Sequence, residues 1–146
     1  PKQLFELDLD GDGKVKPLTN KGLSGSAFTL SHDARTIAVG VDQKLMLLSV
    51  AGDGDRLMPG ARPGDIPIEW TEDNSALYIL ERTHNNVRIM HVDVTSGERK
   101  EWAAIRPGDP AVILDVMPVH ITPDGQTFAY GYRRFLSDLF LVTGLS

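Results

Sequence analysis

The chain has 146 residues, 41% hydrophobic and 24% charged, proportions that fit one folded domain with its own core. A net charge of −5 argues against a nucleic-acid partner, which needs many Lys and Arg set against phosphates. The absence of cysteine excludes a disulfide framework, a thiolate metal site and a Cys nucleophile. No apolar run approaches the roughly 20 residues of a membrane helix, so direct membrane insertion is not expected. The start at Pro1 rather than Met points to a processed or excised piece.

In chain order, the sequence predicts short strands throughout. Leu4–Leu9 and Lys14–Thr19 flank the turn Asp8-Leu9-Asp10-Gly11-Asp12-Gly13. Four strands follow: Ser26–Ser31, Thr36–Val41, Lys44–Val50 and Arg56–Met58. Four more follow those: Ile66–Trp70, Ala76–Glu81, Val87–Thr95 and Glu98–Ala103. The last three are Ile113–Thr122, Thr127–Tyr132 and Asp138–Thr143. Gly, Pro, Asp and Asn interrupt the chain between them, and no stretch shows a capped 3.6-residue period.

The units repeat. Arg62-Pro63-Gly64-Asp65 returns as Arg106-Pro107-Gly108-Asp109, 44 residues later. The acidic turns Ser31-His32-Asp33-Ala34-Arg35, Thr71-Glu72-Asp73-Asn74-Ser75 and Thr122-Pro123-Asp124-Gly125-Gln126 each separate two apolar strands. A period near 40–50 residues selects a propeller among all-β folds, because a four-stranded blade needs about that length. With the strands of a blade named A to D from the inside outwards, the chain divides into a blade end (1–19), two blades (26–60 and 66–103) and an incomplete last blade (111–146). The expectation is an all-β propeller segment of about three four-stranded antiparallel blades, roughly half of a six- or seven-bladed ring.

Apolar strand, Ser/Thr-x-Asp-Gly turn, apolar strand resembles the TolB-like, WD-repeat-like propeller blades of bacteria, most closely at Ile121-Thr122-Pro123-Asp124-Gly125-Gln126-Thr127-Phe128-Ala129-Tyr130. The tail from Tyr132-Arg133-Arg134 to Leu139-Phe140-Leu141-Val142 resembles the C-terminus of large bacterial Ser/Thr kinases that carry such a propeller. The resemblance implies a non-catalytic interaction or sensor module with a protein or peptide partner, in a periplasmic or otherwise extracytoplasmic setting. The chain itself has no Gly-rich phosphate loop, His-Arg-Asp or Asp-Phe-Gly, so it holds no kinase catalytic part. The alternatives are an accessory propeller of a prolyl-oligopeptidase-like hydrolase and a calcium-stabilised propeller.

Candidate chemistry is sparse. Asp8, Asp10 and Asp12 resemble the start of an oxygen-rich Ca²⁺ loop. The twelfth position of an EF-hand loop, however, falls on Thr19, and the flanks are strand-like. A hairpin turn is the stronger reading, and no cofactor is expected. Gly22-Leu23-Ser24-Gly25-Ser26 falls one residue short of a nucleophile elbow and is expected in a loop. His32, His84, His91 and His120 show no metal-binding spacing. The B-to-C and D-to-A loops of a propeller share one face. That expectation gathers Arg62, Arg82, His84, Arg106, Arg133 and Arg134 as an interaction surface. The structural alternative pairs Arg62 with Asp65 and Arg106 with Asp109 to fix their turns. Finally, a half-ring exposes blade faces and strand edges, so self-association is expected, with the N-terminal strands of one copy completing the last blade of another.

Overall fold

The computed structural model describes residues 2–11, 13–19, 22–83, 86–106 and 113–134. The described residues form twelve strands and no helix. The first four sequence elements of the chain are β1 (Phe5–Leu7), β2 (Val15–Pro17), β3 (Leu23–Leu30) and β4 (Thr36–Val41). They are followed by β5 (Lys44–Ser49), β6 (Arg56–Leu57), β7 (Ile66–Trp70) and β8 (Ala76–Arg82). The last four are β9 (Val87–Asp93), β10 (Arg99–Ile105), β11 (Ile113–Ile121) and β12 (Phe128–Arg134). They build four antiparallel sheets: β1–β2, the meander β3–β4–β5–β6, the meander β7–β8–β9–β10, and β11–β12.

Burial explains how the sheets associate. Successive strand side chains point to opposite faces, yet Ala76 to Glu81 of β8 are all buried, so both faces of this sheet are covered. Leu77 and Ile79 join Met90 and Val92 of β9 and pack against Ala38, Leu45, Leu47 and Met58 of the preceding sheet and its loop. Tyr78, Leu80 and Ile89 pack against Val116, Val119 and Ile121 of the following sheet. The meander β3–β6 behaves alike: Ile37, Val39 and Leu48 face Leu4 and Leu18 of the N-terminal hairpin. The four sheets therefore stack in series through three apolar layers. Each fully buried Leu or Ile in them contributes roughly 1.5–3 kcal/mol. The first strands are neighbours from sheet to sheet, β3 with β7 and β7 with β11. This all-β arrangement is compatible with a partial propeller-like set of blades.

Strands β4 and β7 coincide with their sequence-predicted bounds. The main correction is at β3, which starts at Leu23 rather than Ser26 because Leu23 pairs with Val41 across an irregular register. Gly22-Leu23-Ser24-Gly25-Ser26 thus runs into a strand, not through a loop, which removes the basis for an elbow. Strand β10 runs on to Ile105 around a register shift between Glu101 and Ala103. The predicted strand Asp138–Thr143 lies outside the described residues.

The three acidic turns share one hydrogen-bond pattern. The hydroxyls of Ser31, Thr71 and Thr122 donate to Asp33, Asp73 and Asp124 at 2.6, 2.7 and 2.5 Å. Each carboxylate accepts the backbone N–H two residues on, from Arg35, Ser75 and Gln126. Each hydroxyl oxygen accepts the N–H five residues on, from Thr36, Ala76 and Thr127, at or just before the start of the next strand. The fourth turn residue is left-handed every time, with φ of 57° at Ala34, 58° at Asn74 and 65° at Gly125. Asn and Gly tolerate that conformation, whereas alanine is strained there. Ala34→Gly is therefore expected to stabilise the fold by about 0.5–1 kcal/mol, read as a rise of a few degrees in thermal midpoint. An unchanged or lowered midpoint would contradict the strain.

Candidate functional site

The sheet register shows which arginines share an end. Arg82 pairs with Val87, and Val87 pairs with Ile105, the residue before Arg106. The Arg82 guanidinium reaches the next sheet, where Nη2 donates to the Val116 carbonyl at 2.7 Å. Val116 pairs with Tyr132, beside Arg133. Arg82, Arg106 and Arg133 thus lie at one end of the stacked sheets, and all three are exposed. The β6–β7 loop brings Arg62 to the same end, because its guanidinium meets Glu81, the neighbour of Arg82. His84 and the Arg134 side chain lie outside the described residues, as does Asp109.

Arg62 does not pair with Asp65 in the way the repeat implied. The Arg62 backbone N–H donates to Asp65 Oδ2 at 2.8 Å, while its side-chain Nη1 donates to Glu81 Oε2 at 3.0 Å. The Asp65 carboxylate instead receives Arg99, through Nη1 at 2.6 Å and Nη2 at 3.2 Å. Arg99 also donates to Glu81 at 2.8 Å and to the Gly60 carbonyl at 2.9 Å. Arg88 closes the network, with Nη2 to Glu81 Oε1 at 2.8 Å and Nη1 to Glu101 at 3.2 Å. The planar guanidinium suits this, because it presents several donors in a fixed fork.

The electrostatics follow from burial. The side chains of Asp65, Glu81 and Arg99 are only 2%, 8% and 8% exposed. Burial pushes the Glu81 carboxyl up, but the Arg99 hydrogen bond and the charges of Arg99, Arg88 and Arg62 outweigh it and hold it below the usual range. Burial likewise opposes the Arg99 charge, and Asp65 with Glu81 reverses the balance. The result is a strap. The Met58–Asp65 loop, which joins β6 to β7, is fastened to the β7–β10 sheet by Arg99 of its outermost strand, β10. Gly60 lies so close to Gly97 that a Cβ on it would sit 2.2 Å from the Gly97 carbonyl oxygen. Arg62 is thus first a structural residue, although its side chain stays 63% exposed and presents its outer surface at the loop end.

Glu81, Arg88 and Arg99 were absent from the sequence-predicted site. Two of them carried a signal. Arg88 falls on the same strand face as Met90 and Val92, and Glu81 continues the Leu77-Ile79 face. A charge on a buried face demands a partner.

At the N-terminal hairpin, Asp8 Oδ1 accepts the N–H of Asp10 at 3.1 Å and of Gly11 at 3.0 Å. That is a turn-forming use of the carboxylate. Thr19 is buried and accepts the Leu4 N–H through Oγ1 at 3.1 Å, joining the two ends of the hairpin. Asp12 lies outside the described residues. Among the described residues, no group of three His, Asp or Glu has the geometry to hold a metal ion. His91 is half-buried with its ring edge-on to Tyr78, 5.5 Å between centroids. His32 is tied to the next sheet through the Trp70 carbonyl and the Asn74 side chain.

No protein-family model and no curated protein matches the chain.

Proposed function

We propose that the chain is a segment of a TolB-like, propeller-type scaffold that binds a protein or peptide partner without catalysing a reaction, as part of a larger bacterial signalling protein. The observation that carries this reading is the register that gathers Arg82, Arg106 and Arg133 at one end, on loops and strand ends fixed by a rigid stack of sheets. Arginines so placed form a positive surface on a chain of net charge −5, and surfaces of this kind select partners of opposite charge. An acidic peptide is the fitting ligand. The test is fluorescence anisotropy with a fluorescein-labelled, glutamate-rich peptide at low ionic strength. The wild-type chain is expected to bind it, and Arg106→Glu with Arg133→Glu to weaken binding about tenfold, an effect that shrinks with added salt. Equal binding by the wild type and the double variant, or none by the wild type, refutes the arginine end as the site.

A second reading concerns the incomplete sheets. Among the described residues β1–β2 and β11–β12 have only two strands each, and Phe5, Leu7 and Val15 of the first are 55%, 52% and 59% exposed. We infer that a second copy covers them, so that β1–β2 of one chain extends β11–β12 of the other.

A further inference from the structure

The opposite end of the sheets carries a different surface. There the turns Thr71–Ala76 and Thr122–Thr127 flank a groove of about 440 Å³, with Tyr78 and His91 inside it and Glu72, Asp73 and Asp124 on its rim. Tyr78 is the informative residue. It is only 5% exposed, and its ring is gripped edge-on by His91 and by Trp102, whose centroid lies 5.1 Å away. Those contacts satisfy the ring and not the hydroxyl. Tyr78 Oη lines the groove but has no hydrogen-bond partner among the described residues. The ring is buried, and the hydroxyl tip stays open to the water of the groove. Such a group facing an open groove is placed to bond something that enters. The Gly125 turn leaves it room, since a Cβ there would stand 2.3 Å from Tyr78 Oη.

The rim defines the chemistry of what enters. Asp73 and Asp124 use Oδ1 for the hydrogen bonds of their own turns. Among the described residues, no hydrogen bond occupies their Oδ2 atoms. Both carboxylates stay ionised: the Ser75 N–H, with the Thr71 and Ser75 hydroxyls, holds Asp73 at about 2, and the Thr122 hydroxyl, with the Gln126 N–H, lowers Asp124. Burial, then the charges of Asp124 and Asp73, push the Tyr78 phenol up, so it remains a neutral hydroxyl in a negative field. Among the described residues, no Lys or Arg lines this groove. Among the described residues these acids form no group of three able to hold a metal ion, whereas a larger cation reaches separate acceptors through its N–H donors.

We propose that this groove binds an organic ammonium or guanidinium group, with Tyr78 Oη accepting one N–H and the Oδ2 atoms of Asp73 and Asp124 accepting others. The cation is either a free amine or the side chain of a Lys or Arg on another protein. The site is independent of the arginine end and has the opposite charge preference.

The test is NMR titration of the isolated chain, following the Tyr78 ring, His91 and the Trp102 indole N–H. The probes are n-butylammonium and N-acetyl-lysine methylamide. The controls are tetramethylammonium, which has charge without N–H donors, and the Nζ-acetylated lysine probe, which has no charge. Both ammonium probes are expected to saturate these shifts with a Kd of about 1 mM, the range of a few charged hydrogen bonds. Tyr78→Phe is expected to weaken them about tenfold while keeping the ring contacts. Asp124→Lys, which places a cation in the groove, is expected to abolish binding. Tighter binding of the lysine probe than of butylammonium assigns a protein segment, and equal binding assigns a free amine. No saturable shift with either probe, equal response to tetramethylammonium, or undiminished binding by a folded Tyr78→Phe overturns the proposal.

Discussion

Replacing Arg99 with alanine is expected to destabilise the chain by about 3–5 kcal/mol, the cost of removing one partner from a buried ionic network. The guanidinium of Arg99 reaches Asp65, Glu81 and the Gly60 carbonyl. Without it, Asp65 keeps the Arg62 N–H, and Glu81 keeps Arg62 and Arg88. The remaining donor at Asp65 is an uncharged backbone N–H, and those at Glu81 come from the more exposed Arg62 and Arg88 side chains, so none replaces the charge beside Asp65. A loss of this size is a large share of the roughly 5–15 kcal/mol that holds a domain together. Arg99→Lys is expected to recover little, because one ammonium cannot bridge two carboxylates and a carbonyl in the geometry of the fork. Urea unfolding of the wild type and both variants checks this. A loss below about 1 kcal/mol would place the network with exposed ion pairs, which contribute little.

The same network marks the boundary of what the sequence reveals. The acidic turns were legible because their bonds close within six residues: Thr71, Asp73 and Ala76 contain the whole motif, and its three copies confirm one another. Strands β4 and β7 were legible because Asp/Asn-rich turns or Gly-Asp steps bound them sharply. The start of β3 was not, since only pairing with Val41, on the next strand, extends it back to Leu23. The partners of the arginines were hidden for the same reason at longer range. Asp65 and Arg99 are 34 residues apart, and Arg62 and Glu81 are 19 apart. A repeated Arg-Pro-Gly-Asp invites a pairing within the motif, and the fold supplies a better-buried partner from β10 instead. The groove at Tyr78 was illegible for a further reason. It exists only where turns of two successive sheets meet, and no local pattern announces that the tyrosine hydroxyl is left without a partner.

The isolated chain is expected to run at twice its 16.0 kDa mass in size-exclusion chromatography with light scattering at micromolar concentration. In the N-terminal hairpin, Leu18 N–H donates to the Leu4 carbonyl, and the pairing continues through Glu6 with Lys16. Backbone groups alternate in direction along an antiparallel ladder. Leu4 and Glu6 therefore turn theirs toward β2, and Phe5 and Leu7 turn theirs outward. An outward row of donors and acceptors beside half-exposed Phe5 and Leu7 is a template for another strand. The described strands form sheets of two, four, four and two. Two copies joined β1–β2 to β11–β12 would bring the described strands to six sheets of four, leaving only the short outer edges that a propeller tolerates. Leu7→Pro removes an outward-facing donor while sparing the bonds from Leu4 and Glu6 to β2. It is expected to convert the dimer to a monomer with its β-sheet circular dichroism intact. A wild-type chain that stays monomeric, folded and soluble at micromolar concentration would show that this edge needs no second copy.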